Sequence, residues 1–387
     1  MKKKKKIAVI TGARAEYGLL KPLMKKIQAS DDLNLELIVT GLHLLKKFGL
    51  TVNDIKKDGF KISANIPMYA PDDSAENYYG TALARGIGGF TQALIKLRPD
   101  ILIVLGDRLE ALAAVLAAAT LGIPIGHIHG GDKTDSGHID ESIRHAITRF
   151  SQLHFPATAA AEKRLIKMGE QPERIFSTGA LGAENIINSP KISRQTLFKK
   201  FQLATGQKLI LCIFHPVNLE YKQAGGQMRE ILSALKQLKI QSIVIYPNND
   251  LGAEDIIKEI DNRAGSSFIK AYPNLNQADY LNLLKQADVL IGNSSSGIIE
   301  APALGLPAVN IGSRNTGREH GKNVIFSSAL KKEIVKAINR ALYDKKFINC
   351  LKKQRNPYGR TGASDKIIKI LAKTEINKKL LSKKITY

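Results

Sequence analysis

Cysteine is almost missing from this chain of 387 residues, which holds only Cys212 and Cys350. Neither stands at metal-ligand spacing and two cysteines cannot build a disulfide framework, so no structural zinc is implied and a reducing cytoplasm is the expected setting. Long apolar runs are missing too. The longest, Ala111 to Ile125, is shorter than a membrane span and contains Gly122 and Pro124, which predicts a core helix followed by a strand. Lys2 to Lys6 resemble the start of a secretory leader, yet the apolar stretch behind them, Ile7 to Ile10, is short and runs into Arg14 and Glu16. It reads as a first buried strand. Acidic residues are scarce, 35 against 58 lysines and arginines, for a formal charge of +23. Such an excess suggests a polyanionic partner. Much of it lies at the ends, in Lys2 to Lys6 and in Lys378, Lys379, Lys383 and Lys384, with no interleaved aromatic platform, so neither nucleic acid nor membrane is expected as a partner. The turn after the first strand, TGARAEYG, lacks the GxGxxG spacing of a dinucleotide site, which disfavours a nicotinamide cofactor.

What is present supports two lobes. The length exceeds what one core usually serves, and 44% hydrophobic residues provide apolar material for two. Runs of strand length alternate with helical patterns twice over: Lys6 to Thr11, Leu35 to Thr40, Ile101 to Leu105, Pro124 to His129, Leu153 to Phe155 and Ile175 to Thr178, then the strands beginning at Leu209, Ile243, Phe268, Val289 and Ala308. The pattern predicts an α/β protein of two doubly wound, Rossmann-like domains. The divisions expected are 1–183, 184–365 and a C-terminal helix over 366–387 that packs back on the first domain. No short-period repeat is visible beyond the lysine clusters.

In open α/β sheets ligands bind beyond the carboxyl ends of strands, and the unusual residues stand there. Gly292 to Arg318, GNSSSGIIEAPALGLPAVNIGSRNTGR, follows a predicted strand with a serine-rich turn opening a helix. Ser294, Ser295, Ser296 and Gly297 with the helix N-terminus suit an anionic diphosphate, Glu300 in the first turn suits two ribose hydroxyls, and the next strand delivers Arg314 and Arg318 to the same edge. The segment reads as a socket for a nucleotide diphosphate; serine capping of an ordinary turn is the bland alternative. His215 follows the Leu209 strand and Asn248 the next, where it could contact base or ribose. In the first half, GDRLE places Asp107 and Arg108 at a strand end, with a salt bridge within the loop as the bland alternative. HIHGGDKTDSGHIDESIRHAI gathers four histidines with Asp132, Asp140 and Glu141. His127 and His129 would point the same way on a strand, which suggests a metal, but the spacing matches no zinc signature and no metal site is expected. Gly130-Gly131 suggests close approach of the backbone to a ligand, and Asp140 or Glu141 a cap for a helix from Ser142 to Phe150.

These motifs together, TGARAEYG, GDRLE, HIHGGD with DESIRHAIT, FHPV, GNSSSGIIE with GSRNTGR, and NPYGRTGAS, resemble the UDP-N-acetylglucosamine 2-epimerases over nearly the whole chain, and more closely their hydrolysing branch. The resemblance implies a GT-B arrangement with the substrate cleft between the two domains. It implies UDP contact by Arg14, His215, Asn248, Ser294, Ser295, Glu300 and Arg318, and a homodimer. It also implies loss of the C2 proton and of UDP to give a 2-acetamidoglucal, then addition of water to release N-acetylmannosamine or a relative. By resemblance Asp107 and Asp140 take the acid and base roles, with Asp132 and Glu141 as substitutes. One departure stands out: well-known members carry a glutamate where this chain has His129, so a proton-transfer role there is either carried by imidazole or moved to Asp132. No redox cofactor is required, and a divalent cation could assist UDP. The hydrolysing relatives that take UDP-2,4-diacetamido-2,4,6-trideoxy-glucose share these motifs. A GT-B glycosyltransferase and a non-catalytic UDP-sugar sensor are the competing readings.

Overall fold

The computed structural model describes residues 4–46, 49–70, 78–134, 139–248, 250–263, 267–352 and 354–387. Lys2 and Lys3 of the basic run, His138 of the histidine-rich segment and Asn249 beside Asn248 lie outside the described residues. The chain forms two compact units, the first from the N-terminus to Asp132 with Ile139–Leu181 and Gly362–Tyr387, the second essentially Gly182–Thr361.

In the first unit six parallel strands, β1 (Lys5–Thr11), β2 (Leu33–Thr40), β3 (Ile62–Ile66), β4 (Ile101–Leu105), β5 (Ile125–Ile128) and β6 (Leu153–Phe155), lie in the order β3-β2-β1-β4-β5-β6. The continuous apolar run of β1 is what a strand covered on both faces needs. Its side chains alternate, Ile7 and Val9 packing with the helix Arg14–Gln28 and the C-terminal helix Ala363–Lys373, Ala8 and Ile10 with Tyr78–Leu97 and Leu109–Thr120. All four β1 residues are fully buried, and each large one contributes about 1.5–3 kcal/mol. The long apolar stretch resolves as expected into a core helix and then β5.

The second unit repeats the plan. β7 (Ile210–Ile213), β8 (Ser242–Ile245), β9 (Ile269–Tyr272), β10 (Val289–Gly292), β11 (Ala308–Ile311) and β12 (Val324–Ser327) form a parallel sheet in the order β12-β11-β10-β7-β8-β9. Strand order therefore reverses between β1 and β4 in one sheet and between β7 and β10 in the other, and in open α/β sheets such a reversal marks where ligands bind. Two doubly wound α/β units are what the sequence predicts.

The differences lie at the edges. β3 and β12, half-exposed outer strands, are not among the strands that the sequence predicts. Ile175–Thr178 is not a strand: Ile175 makes a single bridge to His154, and Phe176 and Thr178 donate to the carbonyls of His154 and Pro156 without extending a ladder. No helix among the described residues is long and apolar enough to cross a membrane.

Candidate active site

The carboxyl edge of β7 and β10 is pinned by one buried amide. Asn293 accepts the N–H of His215 on Oδ1 at 2.7 Å and donates Nδ2 to its carbonyl at 2.8 Å, joining the two strand ends. Gly292 precedes it at φ +115°, where a Cβ would stand 2.0 Å from the carbonyl oxygen of Ile213, so glycine is obligatory. His215 then accepts the backbone N–H of Asn248 on Nδ1 at 3.0 Å, which leaves the ring proton on Nε2. Burial, reinforced by the Arg314 charge, holds the pKa of His215 well below its ordinary value, so the ring is a neutral donor near neutral pH. Asn248 gives Nδ2 to Asp250, and its buried Oδ1 has no partner among the described residues.

Beyond Gly292 the serine turn leads into a helix of one turn, Ser296–Ile299. Ser294 Oγ accepts the N–H of Ser296, Ser295 at the N-cap makes no side-chain cap bond, and Tyr280 donates its hydroxyl to Ser296. Glu300 is not in the first turn as expected. It stands at the junction with a second short helix, Ala301–Leu304, because Pro302 cannot continue the first one. Burial raises the pKa of Glu300 against the Ser296 hydroxyl and Arg318, and its buried Oε2 has no hydrogen-bond partner among the described residues. Arg314 reaches the carbonyl of Asn293, and Asn315, which the sequence does not single out, ties that carbonyl to Asn310 through its Nδ2 at 2.9 and 2.8 Å. His215, Asn248, the serine turn, Glu300, Arg314 and Arg318 thus share one edge of the second unit. The buried asparagines that hold the edge carry no signal in the sequence beyond lying next to its motifs.

In the first unit the hub is Arg144, a residue that sequence reasoning misses. Buried in the helix Ile139–Phe150, it donates to Asp107 beyond β4, to Glu141 at 2.5 Å, and to the carbonyl of Asp132 at 3.1 Å. Burial works against its charge, but the surrounding carboxylates outweigh it and hold its pKa above the ordinary value. The signal was available as the i, i+3 spacing from Glu141. That helix begins at Ile139, so Asp140 and Glu141 lie inside its first turn and not at its cap. Glu141 also accepts from His145 Nε2 at 3.1 Å.

Three other expectations change. His127 and His129 do not face the same way along a strand, because β5 ends at Ile128 and His129 has φ +66°, a left-handed conformation uncommon for a residue other than glycine. His127 is fully buried, donates Nε2 to the Gly106 carbonyl and accepts from Thr148; burial lowers its pKa to about 3, which makes it a packing residue. Gly130 and Gly131 are approached by the protein itself: a Cβ would meet His127 at the first, and the carbonyl of Ala161 at 2.5 Å at the second. Arg108 turns to Glu110, Nε to Oε2 at 3.1 Å, and Arg14 pairs with Asp54 at 3.3 Å. Asp107, Asp132 and Glu141 are thus gathered around Arg144, while Arg14 and Arg108 are drawn to other carboxylates. Among the described residues no three His, Cys, Asp or Glu side chains are grouped to hold a metal.

Comparison with known proteins adds an independent line. Residues 25–372 match the family described as UDP-N-acetylglucosamine 2-epimerase. The UDP-N,N'-diacetylbacillosamine 2-epimerase (hydrolyzing) of Legionella pneumophila is 36% identical over 383 residues, 98% of each chain. The polysialic acid biosynthesis protein P7 of Escherichia coli is 34% identical over 369 residues, 95% of this chain and 93% of that one. The fold is shared with a Neisseria meningitidis UDP-GlcNAc 2-epimerase solved bound to UDP-GlcNAc, at a TM-score of 0.82 and 19% identity over 95% of this chain and 100% of that one. With two switch-point edges of this composition and relatives matched from end to end, the chain belongs to the UDP-N-acetylglucosamine 2-epimerase family.

Proposed function

We propose that this protein is a hydrolysing 2-epimerase that converts UDP-N-acetylglucosamine and water to N-acetylmannosamine and UDP. The observation that carries the reading is the edge of β7 and β10, where a neutral His215 Nε2 donor, the serine turn, Arg314 and Arg318 stand with the buried acceptor Glu300. Donors suit a diphosphate, and an acceptor without a partner suits ribose hydroxyls. In the reaction a carboxylate of the first unit removes the C2 proton while UDP leaves C1, giving a 2-acetamidoglucal. The C2 proton is weakly acidic, so the departing diphosphate needs strong stabilisation, which His215 and the two arginines supply. Water then adds across the double bond with proton transfer from the opposite side of the ring. Asp107 and Asp140 take the acid and base roles, Arg144 holds Asp107 and Glu141 in place, and the left-handed His129 beside Asp132 stands where strained backbone often serves function. No metal or redox group is needed.

A second reading, with a UDP-linked 2,4-diacetamido sugar as substrate, is favoured by the Legionella relative, which is named for UDP-N,N'-diacetylbacillosamine. The two separate by measuring UDP release from UDP-N-acetylglucosamine and from its 2,4-diacetamido-2,4,6-trideoxy analogue, with and without a chelator. The proposal expects release from the first, unaffected by chelation. Release from the analogue alone moves the substrate to the second reading, and release from neither overturns the activity.

A further inference from the structure

Two carboxylates and a guanidinium meet beneath the turns that follow β1, β2 and β4. Glu16, 6% exposed, accepts the N–H of Gly12 on Oε2 at 2.7 Å. Glu110, 1% exposed, accepts Arg108 Nε on Oε2 at 3.1 Å, Arg108 Nη2 on Oε1 at 3.5 Å, and the Tyr69 hydroxyl at 3.1 Å. Both bear on the same glycine turn. A Cβ on Gly12 would lie 2.8 Å from Glu110 Cγ, and one on Gly41 2.7 Å from Glu110 Oε1. The remaining groups facing the pair are committed elsewhere. His43, from the turn after β2, has its ring nitrogens engaged by Thr11 and Thr51, and burial lowers its pKa to about 4, leaving it neutral. Arg14, on the helix of Glu16, is paired with Asp54.

One guanidinium does not balance two buried carboxylates in so small a space, since like charges at close range do not both ionise. Burial raises the pKa of Glu16 to about 8; the Gly12 N–H opposes the rise and the Glu110 charge adds to it. For Glu110 burial acts upward too, but Arg108 outweighs it and holds the carboxyl below its ordinary value.

We propose that Glu16 carries a proton in the working protein, and that Glu110, left as the single charge of the pair, is a positioning residue that fixes Arg108 at the carboxyl edge of β4. The inference rests on reading that edge as part of an epimerase active site. When Glu16 ionises, two carboxylates compete for one guanidinium and Arg108 loses its fixed seat on Glu110.

Glu16→Gln is the test, since it keeps the acceptor for Gly12 and puts an amide donor where the acid proton stood. The first readout is the thermal unfolding midpoint of the ligand-free protein against pH. The folded-state pKa of about 8 lies above the ordinary glutamate value of 4.5, so the unfolded chain releases its proton first and wild type loses stability as pH rises through that window. The variant lacks this loss, so its midpoint should gain on wild type from about pH 4.5 to about pH 8 and hold the gain above. A gap that does not change with pH overturns the proton, whatever the turnover. The second readout is kcat/KM, which should fall above about pH 8 in wild type and keep its neutral value in the variant. A fall that persists in Glu16→Gln overturns the link to Arg108. Arg108→Gln and Glu110→Gln should each lower kcat/KM by about tenfold, and the double variant no further than the worse single; additive losses overturn the positioning role. Absence of turnover in wild type on either sugar would sink the epimerase reading and the positioning role with it, while the proton on Glu16 still stands or falls on the unfolding gap.

Discussion

Arg144 shows how much of the site depends on one side chain. Its side chain is 6% exposed, against 26% for the Asp107 and 23% for the Glu141 side chains that it joins. Removing one partner of a buried pair costs more than the pair itself contributes, because the others keep their charge without its counterion. Arg144→Gln should therefore destabilise the protein by about 3–5 kcal/mol in urea unfolding and cut kcat/KM by at least about a hundredfold. Arg144→Lys keeps the charge but loses the planar fork, so it should recover much of the stability and little of the turnover. Equal loss by both variants in both measurements would contradict this account of the arginine. At this scale the sequence is legible where a residue stands beside a glycine turn or a strand end, as Asp107 and His215 do. It is silent about whether a group is used for chemistry or for packing. His127 and His129 look equivalent in HIH, yet one is locked between Gly106 and Thr148 and the other leaves the strand in a left-handed turn.

Among the elements, the strand ends at the two switch points do the placing. The chain can turn sharply after β10 because Gly292 has no Cβ, and Asn293 then joins β10 to β7. Gly292→Ala should destabilise the second unit by on the order of 3 kcal/mol or more, since the added carbon meets the carbonyl of Ile213 as well as an unfavourable φ. Gly312→Ala, at φ +78° after β11 with nothing within 4 Å of the added carbon, should lose only about 1 kcal/mol. Urea midpoints decide it, and equal losses would mean that the close approach at Gly292 is unimportant. Buried central strands were readable because strands covered on both faces leave unbroken apolar runs. β3 and β12 were not: both are half-wet outer strands, β3 without an apolar run and β12 with only Val324 to Phe326. The break at Glu300 was present in the sequence as Pro302, whose ring and missing N–H stop the first short helix one turn in.

Across the whole molecule, two sheets of the same strand order present donors and one buried acceptor at one switch point, and carboxylates around an arginine at the other. The formal charge of +23 assists an anionic nucleotide without specifying it. This division between leaving-group stabilisation and proton transfer is the core of the hydrolysing reading. The direct test is to incubate the protein with UDP-N-acetylglucosamine in deuterium oxide and to follow sugar and nucleotide by proton NMR. The account predicts free N-acetylmannosamine carrying deuterium at C2, formed in step with UDP. A 2-epimerised sugar still bound to UDP, or UDP released with the C2 proton retained, would contradict it.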